Sequence, residues 1–355
     1  MTSAFTWPQI LTKLVERNDL DRVEATWAMQ QIMSGETSEL NIAAFMVSLR
    51  SKGESVDELA GLVDVMLENS IKLDTGSDAV DIVGTGGDLV GTVNISSMSS
   101  VVAAAAGVPV LKHGSRSASG KTGSSEMLEA LGIRLDLEPG AVAKVFSGTG
   151  ITFFFAQLFH PAMRHVAPVR RALGVPTTFN FLGPLANPVQ PIATALGVSN
   201  LAIAPLMANE LAARGRAALV LRGNDGLDEL TTTENSHIWQ VCRGEVRQFD
   251  LDPRDFGLQR VSQSKLLGGD ASANAQVARE LFAGSTDGNL AAVKDIVILN
   301  AASGIVAYQM AKDESRAELD LNLRFEDAIF AAKQAIESGA AKTKLDQWVA
   351  ATNQN

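Results

Sequence analysis

The chain has 355 residues, room for two domains at roughly 100–200 residues each. With 46% hydrophobic and 20% charged residues it has the makings of a real core, which excludes disorder as the main state. Asp and Glu number 40 against 30 Lys and Arg, a net charge of −10 that makes nucleic acid and anionic membranes poor partners. An anionic small molecule can still bind wherever cations and backbone N–H groups gather.

Met1 to Trp7 carries neither a basic nor an apolar leader segment, so no signal peptide is expected. Residues 1–72 read as helices alone. Asp21 to Met33 places Ala25, Ala28, Met29, Ile32 and Met33 on one stripe, with Gly35 as a stop. Leu40 to Leu49 predicts a second helix closed by Gly53, and the capping box Ser55-Val-Asp-Glu58 opens another. Short loops between them imply a small antiparallel bundle.

The texture changes at Ala79. Strands are predicted at Ala79–Val83, Val108–Leu111, Ile133–Leu137, Ile151–Phe155, Leu196–Val198 and Ala217–Leu221. Helices are predicted at Asn94–Ala106, Ser124–Leu131 and Leu201–Arg214, an alternation that argues for a largely parallel sheet. His237–Cys242 and Glu245–Phe249 flank Arg-Gly as a hairpin, and helices follow near 272–284, 288–312, 325–337 and 341–350. The expected fold is α/β: a small N-terminal all-helical domain, plus a large α/β domain with a mainly parallel central sheet flanked by helices. The boundaries are 1–75 and 76–355, with residues about 165–190 returning to the helical part.

Two charge-free stretches, 89–111 and 172–209, are long enough to span a bilayer. The first holds Asn94 and four serines and suits a buried loop–helix–strand unit better; the second holds five prolines, which no spanning helix carries. No membrane partner is expected. Cys242 is the only cysteine, which rules out an intramolecular disulfide and a cysteine-based zinc site and fits a reducing cytoplasm.

Four segments bear chemistry. Asp81-Ile-Val-Gly84-Thr-Gly86-Gly87-Asp88 runs on into Thr92-Val-Asn94-Ile95-Ser96-Ser97. Glycines after a strand admit a ligand close to the backbone, and the helix start behind them favours phosphate. The spacing matches neither GxGxxG nor GxxxxGK[ST], and an ordinary strand-to-helix turn stays open as the plainer reading. Lys112 to Ser124 holds three cations, four serines and three glycines, the evident anion site of an acidic chain unless it is only a solvated loop.

Gly223-Asn-Asp225-Gly-Leu-Asp228-Glu229 places adjacent carboxylates after a strand, where a hard cation such as Mg²⁺ binds. Read alone, that segment is more readily a capped turn. His160 to Arg171, followed by Phe179-Asn-Phe-Leu-Gly183-Pro184-Leu-Ala-Asn-Pro188, sets arginines against a neutral wall that suits a flat carboxylate; a plain helix contact is the alternative. The histidines have no metal-ligand spacing, so His160 and His165 default to core or supporting roles.

Together these segments resemble anthranilate phosphoribosyltransferases of tryptophan biosynthesis. The specific strings are Gly-Thr-Gly-Gly-Asp…Asn-Ile-Ser, Lys-His-Gly-x-Arg-Ser, Phe-Asn-x-Leu-Gly-Pro-Leu-x-Asn-Pro and Asp-Gly-Leu-Asp-Glu-Leu. The resemblance implies a homodimer joined through the helical domain, phosphoribosyl pyrophosphate as donor and Mg²⁺ as cofactor. It places the donor at Gly84, Gly87, Asp88, Thr92, Asn94, Ile95, Ser96 and Ser97, and along Lys112, His113, Gly114, Ser115, Arg116, Ser117, Ala118, Ser119, Gly120 and Ser124. It places anthranilate at Gly84, His113, Ser115, Arg170, Gly183 and Pro184, and the metal at Ser96, Asp228 and Glu229. No residue is implied as a general acid or base.

Three positions depart from the family pattern. Ser115 replaces a usual Asn, Leu89 a usual Gly and Gly120 a usual Ser. A related transferase with another aromatic acceptor is therefore one alternative, and a non-catalytic nucleic-acid-binding relative another. The net charge and the Asp228–Glu229 pair argue against the latter. The Lys-x-Ser-Gly-Arg-Gly string of the related pyrimidine nucleoside phosphorylases does not occur.

Overall fold

The computed structural model describes residues 5–116 and 122–354. In chain order it runs α1 (Trp7–Val15), α2 (Arg22–Ser34), α3 (Glu39–Lys52), α4 (Val56–Glu68), β1 (Val80–Gly84), α5 (Ile95–Ala105), β2 (Val110–Gly114), α6 (Ser124–Ala130), α7 (Pro139–Thr149) and β3 (Ile151–Phe155). Then come α8 (Ala156–Phe159), α9 (Ala167–Leu173), β4 (Ala193–Gly197), α10 (Ala204–Ala213), β5 (Ala217–Gly223), β6 (Ser236–Cys242) and β7 (Glu245–Leu251). Four helices end the chain: α11 (Ala271–Phe282), α12 (Leu290–Lys312), α13 (Leu321–Glu337) and α14 (Ala340–Asn353).

Two compact units result. One runs up to Lys72 and includes Ala156–Pro188; the other is Leu73–Phe155 with Val189 onward. The excursion into the helical unit begins at Ala156, where β3 ends, rather than near residue 165.

In the helical unit the caps follow the sequence. Asp21 accepts the Glu24 N–H at 2.8 Å, Ser38 that of Asn41 at 3.3 Å and Ser55 that of Glu58 at 3.2 Å. Each satisfies a donor that the first helical turn leaves open. The buried stripe of α2 is the predicted one, Ala25, Ala28, Met29, Ile32 and Met33, and α2 packs it against α4.

The second unit is built on one seven-stranded sheet in the order β3-β2-β1-β4-β5-β6-β7. The first five strands are parallel; β6 and β7 are antiparallel, turning through Arg243 and Gly244 at φ 54° and 74°. Both φ values are positive, as a two-residue hairpin turn requires. α12 packs on α5, α13, β1, β4 and β5. By length and composition α12 could cross a membrane, but 83% of its apolar window is buried inside this unit, as in a core helix. The charge-free stretches 89–111 and 172–209 are broken into strands, helices and turns.

One expectation fails. Ile133–Leu137 joins no strand, although its side chains alternate buried and exposed. Its alternate residues are buried without a ladder partner, and the Arg134 N–H donates to the Thr352 hydroxyl at 3.3 Å instead. α7 was not anticipated; Pro139 starts it and Gly150, at φ 73°, stops it, while its small residues give a weak apolar stripe.

Candidate active site

β1 ends on Gly84 and β4 on Gly197, paired in register. Strand order reverses here, with β2 and β3 on one side of β1 and β4 and β5 on the other. Crevices beyond the carboxyl ends of parallel strands at such reversals are where α/β sheets bind ligands.

The loop after β5 closes over this point. A Cβ at Gly84 would stand 2.5 Å from the Asp228 carboxylate, and one at Gly197 1.6 Å from the Asp228 carbonyl oxygen. Only glycine at both strand ends lets Asp228 sit there. The carboxylate accepts the Gly86 N–H at 2.5 Å and faces the Thr85 hydroxyl at 3.5 Å. Asp225 has a different role: it accepts from the Thr231 hydroxyl at 2.7 Å, the Leu227 N–H at 3.2 Å and Thr233, and so caps the turn. The capped-turn reading of this segment therefore holds for Asp225, which leaves Asp228 and Glu229 outside the cap.

The electrostatics mark the remaining pair. Burial, then the neighbouring Asp88 carboxylate, pushes Asp228 up to about 7. Burial, then Asp228, holds Glu229 well above the usual carboxylate range, although Lys112 and the Ser96 N–H at the start of α5 oppose this. Lys112 is not in the loop: β2 extends through Gly114, and the buried ammonium donates to the Ile82 carbonyl and reaches the Ser96 hydroxyl at 3.4 Å. Burial lowers its pKa, and Asp81, Glu229 and Asp228 counteract that. One lysine thus faces several acids, a local shortage of positive charge.

Among the described residues no three or more His, Cys, Asp or Glu form a group that holds an ion unaided. Asp228 and Glu229 beside the Ser96 hydroxyl suit Mg²⁺, which keeps waters and takes phosphate oxygens. An ion that demands a full protein cage does not fit.

The other predicted residues distribute as follows. Asp88 folds back to accept the Val90 N–H at 3.1 Å, Thr92 bridges to Leu267, and Ser97 is buried with its hydroxyl unpaired. Gly87 lies within the turn between β1 and α5, and Ile95 is the first residue of α5. His113 is buried, and its backbone N–H donates to Asp81 at 3.2 Å. Gly114 lies against α6: a Cβ there would be 2.5 Å from the Ser124 hydroxyl, which donates to the Ser115 carbonyl at 3.3 Å. Ser115 is exposed. Arg116 is turned onto Glu129 through two hydrogen bonds of 2.9 and 3.0 Å and stacks over Phe155. Ser117, Ala118, Ser119 and Gly120 lie outside the described residues.

Arg170 belongs to the helical unit, on α9, where burial alone lowers its pKa. Gly183 and Pro184 form a single 3₁₀ turn in that unit.

Sequence reasoning missed Asn300, whose amide clamps Leu230 beside Glu229 by accepting its N–H and donating to its carbonyl, both at 2.8 Å. A lone Asn inside the apolar run of α12 was the available signal.

A family model described as "Glycosyl transferase family, a/b domain" matches residues 76–342, and its helical bundle domain matches 8–70. The anthranilate phosphoribosyltransferase of Leifsonia xyli is 51% identical over 352 residues, 99% of this chain and 100% of that one. The chain belongs to the anthranilate phosphoribosyltransferase family. The family member from Thermus thermophilus superposes with a TM-score of 0.86 at 37% identity, covering 97% of this chain and 99% of that one. The Saccharomyces cerevisiae enzyme, solved with phosphoribosyl pyrophosphate and Mg, gives 0.87 at 25% identity and 99% coverage of both chains.

Against the anthranilate phosphoribosyltransferase pattern, Leu89 is the telling departure. It adopts φ 58°, the left-handed region that a glycine takes freely, and its side chain is 74% exposed.

Proposed function

We propose that this protein transfers the 5-phosphoribosyl group from phosphoribosyl pyrophosphate to the amine of anthranilate, releasing pyrophosphate, as in tryptophan biosynthesis. The carrying observation is the Asp228–Glu229 pair, crowded with Asp88 over the carboxyl ends of β1 and β4 beside the start of α5. Asp228, Glu229 and the Ser96 hydroxyl would hold Mg²⁺, which supplies positive charge to the departing pyrophosphate.

The chain's own part is positioning. Apart from the Gly86 and Ser96 N–H groups, which serve Asp228 and Glu229, N–H groups of the turn after β1 would meet the phosphate oxygens and stabilise charge as the bond from the ribose carbon to pyrophosphate breaks. The anthranilate nitrogen attacks the opposite face and then loses its proton. No acid or base on the chain is required if orientation and leaving-group stabilisation lower the barrier. Arg170, half-buried with no charged group among the causes of its shift, would take the acceptor's carboxylate. Gly183 and Pro184 would line the acceptor's path.

The test is consumption of anthranilate, followed by its fluorescence, with phosphoribosyl pyrophosphate and Mg²⁺. Loss that stops on chelation is expected; no loss would sink the reading. The second reading, another aromatic acceptor, rests on Ser115, which lacks the paired amide of Asn. Substituted anthranilates compete the two readings, and Ser115→Asn is expected to lower the Michaelis constant for anthranilate.

The helical unit would also carry a homodimer contact, supported by exposed Leu40 and Val47 on α3 and Val15 at the end of α1. Light scattering that returns a monomer mass would remove it. A cytoplasmic setting accords with the lone thiol.

A further inference from the structure

A closed ring of hydrogen bonds ties the two phosphate turns together through a residue assigned no role above. After the 3₁₀ turn Gln263–Leu266 the chain passes back along the first turn. The Val93 N–H donates to the Leu266 carbonyl at 3.0 Å, and the Gly268 N–H to the Gly91 carbonyl at 2.9 Å. α11 then begins, and Asn274 in its first turns is 2% exposed.

The Asn274 Oδ1 accepts the Gly269 N–H at 2.7 Å, and its Nδ2 donates to the Asn94 Oδ1 at 2.9 Å. The Asn94 Nδ2 donates to the Thr122 carbonyl at 3.3 Å, and the Thr122 hydroxyl donates to the Gly269 carbonyl at 3.0 Å, which closes the ring. The approach is tight: a Cβ at Gly268 would lie 2.7 Å from the Asn274 Oδ1 and 2.8 Å from the Thr92 carbonyl.

The polarity of the ring is fixed. A backbone N–H can only donate, so Gly269 forces Oδ1 of Asn274 towards itself and Nδ2 towards Asn94. The Thr122 carbonyl can only accept, so Asn94 must present its Nδ2 there. The Asn94 amide is spent on this ring, and Asn94 makes no side-chain cap on α5. An aspartate at 274 would have no proton for Asn94. Asn94 would have to turn its amide round, which sets its oxygen against the Thr122 carbonyl, two acceptors with no hydrogen between them.

We propose that Asn274 is a positioning residue for the sugar-diphosphate donor. It fixes the spacing between the start of α5 and Thr122, just ahead of α6, without touching the ligand. This rests on the donor reading above and adds to it a residue and a role.

The experiment compares Asn274→Asp, Thr122→Val and the double variant in steady-state turnover, with melting temperatures alongside. Each single change is expected to raise the Michaelis constant for phosphoribosyl pyrophosphate about tenfold, the effect of one buried hydrogen bond misplaced. That for anthranilate should stay within about twofold. The double variant should be no worse than the poorer single one, because a broken ring cannot break twice. Thr122→Ser, which keeps the hydroxyl, should recover most of the loss.

An unchanged donor constant in a folded Asn274→Asp protein, equal rises for both substrates, or multiplicative losses in the double variant would each overturn the proposal. If Asn274→Asp does not fold, Thr122→Val and Thr122→Ser decide by the same criteria. A wild-type protein that binds no phosphoribosyl pyrophosphate in calorimetry would remove the donor reading itself, a result distinct from unaffected variants of an active enzyme.

Discussion

Two acidic pairs, one in each unit, behave in opposite ways. In the helical unit, Glu58 is fully buried and accepts from the Ser55 N–H at 2.7 Å, the Leu20 N–H at 2.9 Å and the Lys52 ammonium at 2.9 Å. Glu54 accepts from Arg50 at 3.0 Å and from the Thr178 hydroxyl at 2.5 Å. Both are answered by donors of their own unit. Asp228 and Glu229 are crowded by each other and by Asp88; the Gly86 and Ser96 N–H groups reach them, but Lys112 is the one cation among the causes of their shifts, against three carboxylates. A satisfied buried charge is costly to break; an under-compensated one in a crevice marks a candidate functional site.

The sharpest test of the contrast removes charge from each pair. Asp228→Asn with Glu229→Gln should abolish Mg²⁺-dependent turnover, a loss on the order of a thousandfold or more, with circular dichroism unchanged. Persisting turnover would take the metal away from this pair. Glu58→Ala should do the reverse. It leaves Lys52 to Asp19 and the Gly53 carbonyl and strands two backbone donors, so stability falls by about 2–4 kcal/mol in urea titration, while kcat per folded molecule holds.

Acid offers a second handle on the helical unit. His160 is buried, facing the carbonyls of Ala186 and Met66, and burial lowers its pKa from 6.5 to about 4. A depressed histidine contributes stability above its unfolded value that is lost as pH falls through the folded one, about 3 kcal/mol in full. Urea stability measured from pH 7 to pH 4 should therefore drop less in His160→Gln than in the wild type. An equal drop would place the acid sensitivity elsewhere.

At the candidate active site the sign inverts. Asp228 is raised from 3.8 to about 7, so the folded chain holds a proton that the unfolded chain has released. Its stabilising effect is present at low pH and lost as pH rises through about 7. Mg²⁺ held as proposed would compete with that proton, so it should raise the melting temperature more at pH 8 than at pH 6. An equal rise at both would mean that the ion binds away from Asp228.

The smallest expected effect is at Leu89. Relief of its left-handed backbone is worth about 1–2 kcal/mol, and the added freedom of glycine in the unfolded chain returns part of it. Leu89→Gly should thus gain about 0.5–1 kcal/mol in urea, and an unchanged or lower midpoint would show that the loop is not strained there.

Local signals in the sequence were enough for the elements and the places where chemistry gathers. The Ser55–Glu58 box, the Arg243-Gly244 hairpin and the glycine turn after β1 are written within a few neighbouring residues, because capping and turn preferences are short-range. The same reasoning failed at Ile133–Leu137, where alternation reflects one-sided burial without a ladder partner.

Only the tertiary structure decided which charges are spent and which remain available. Lys112 looked like a loop cation until β2 carried it into the interior, and the separate duties of Asp225 and Asp228 depend on which strand ends lie beneath them. Asn274 and Asn300 are single polar residues on helices far along the chain from the loops they fix. Hydrogen-bond partners and dielectric surroundings are set by long-range packing, which no window of sequence contains.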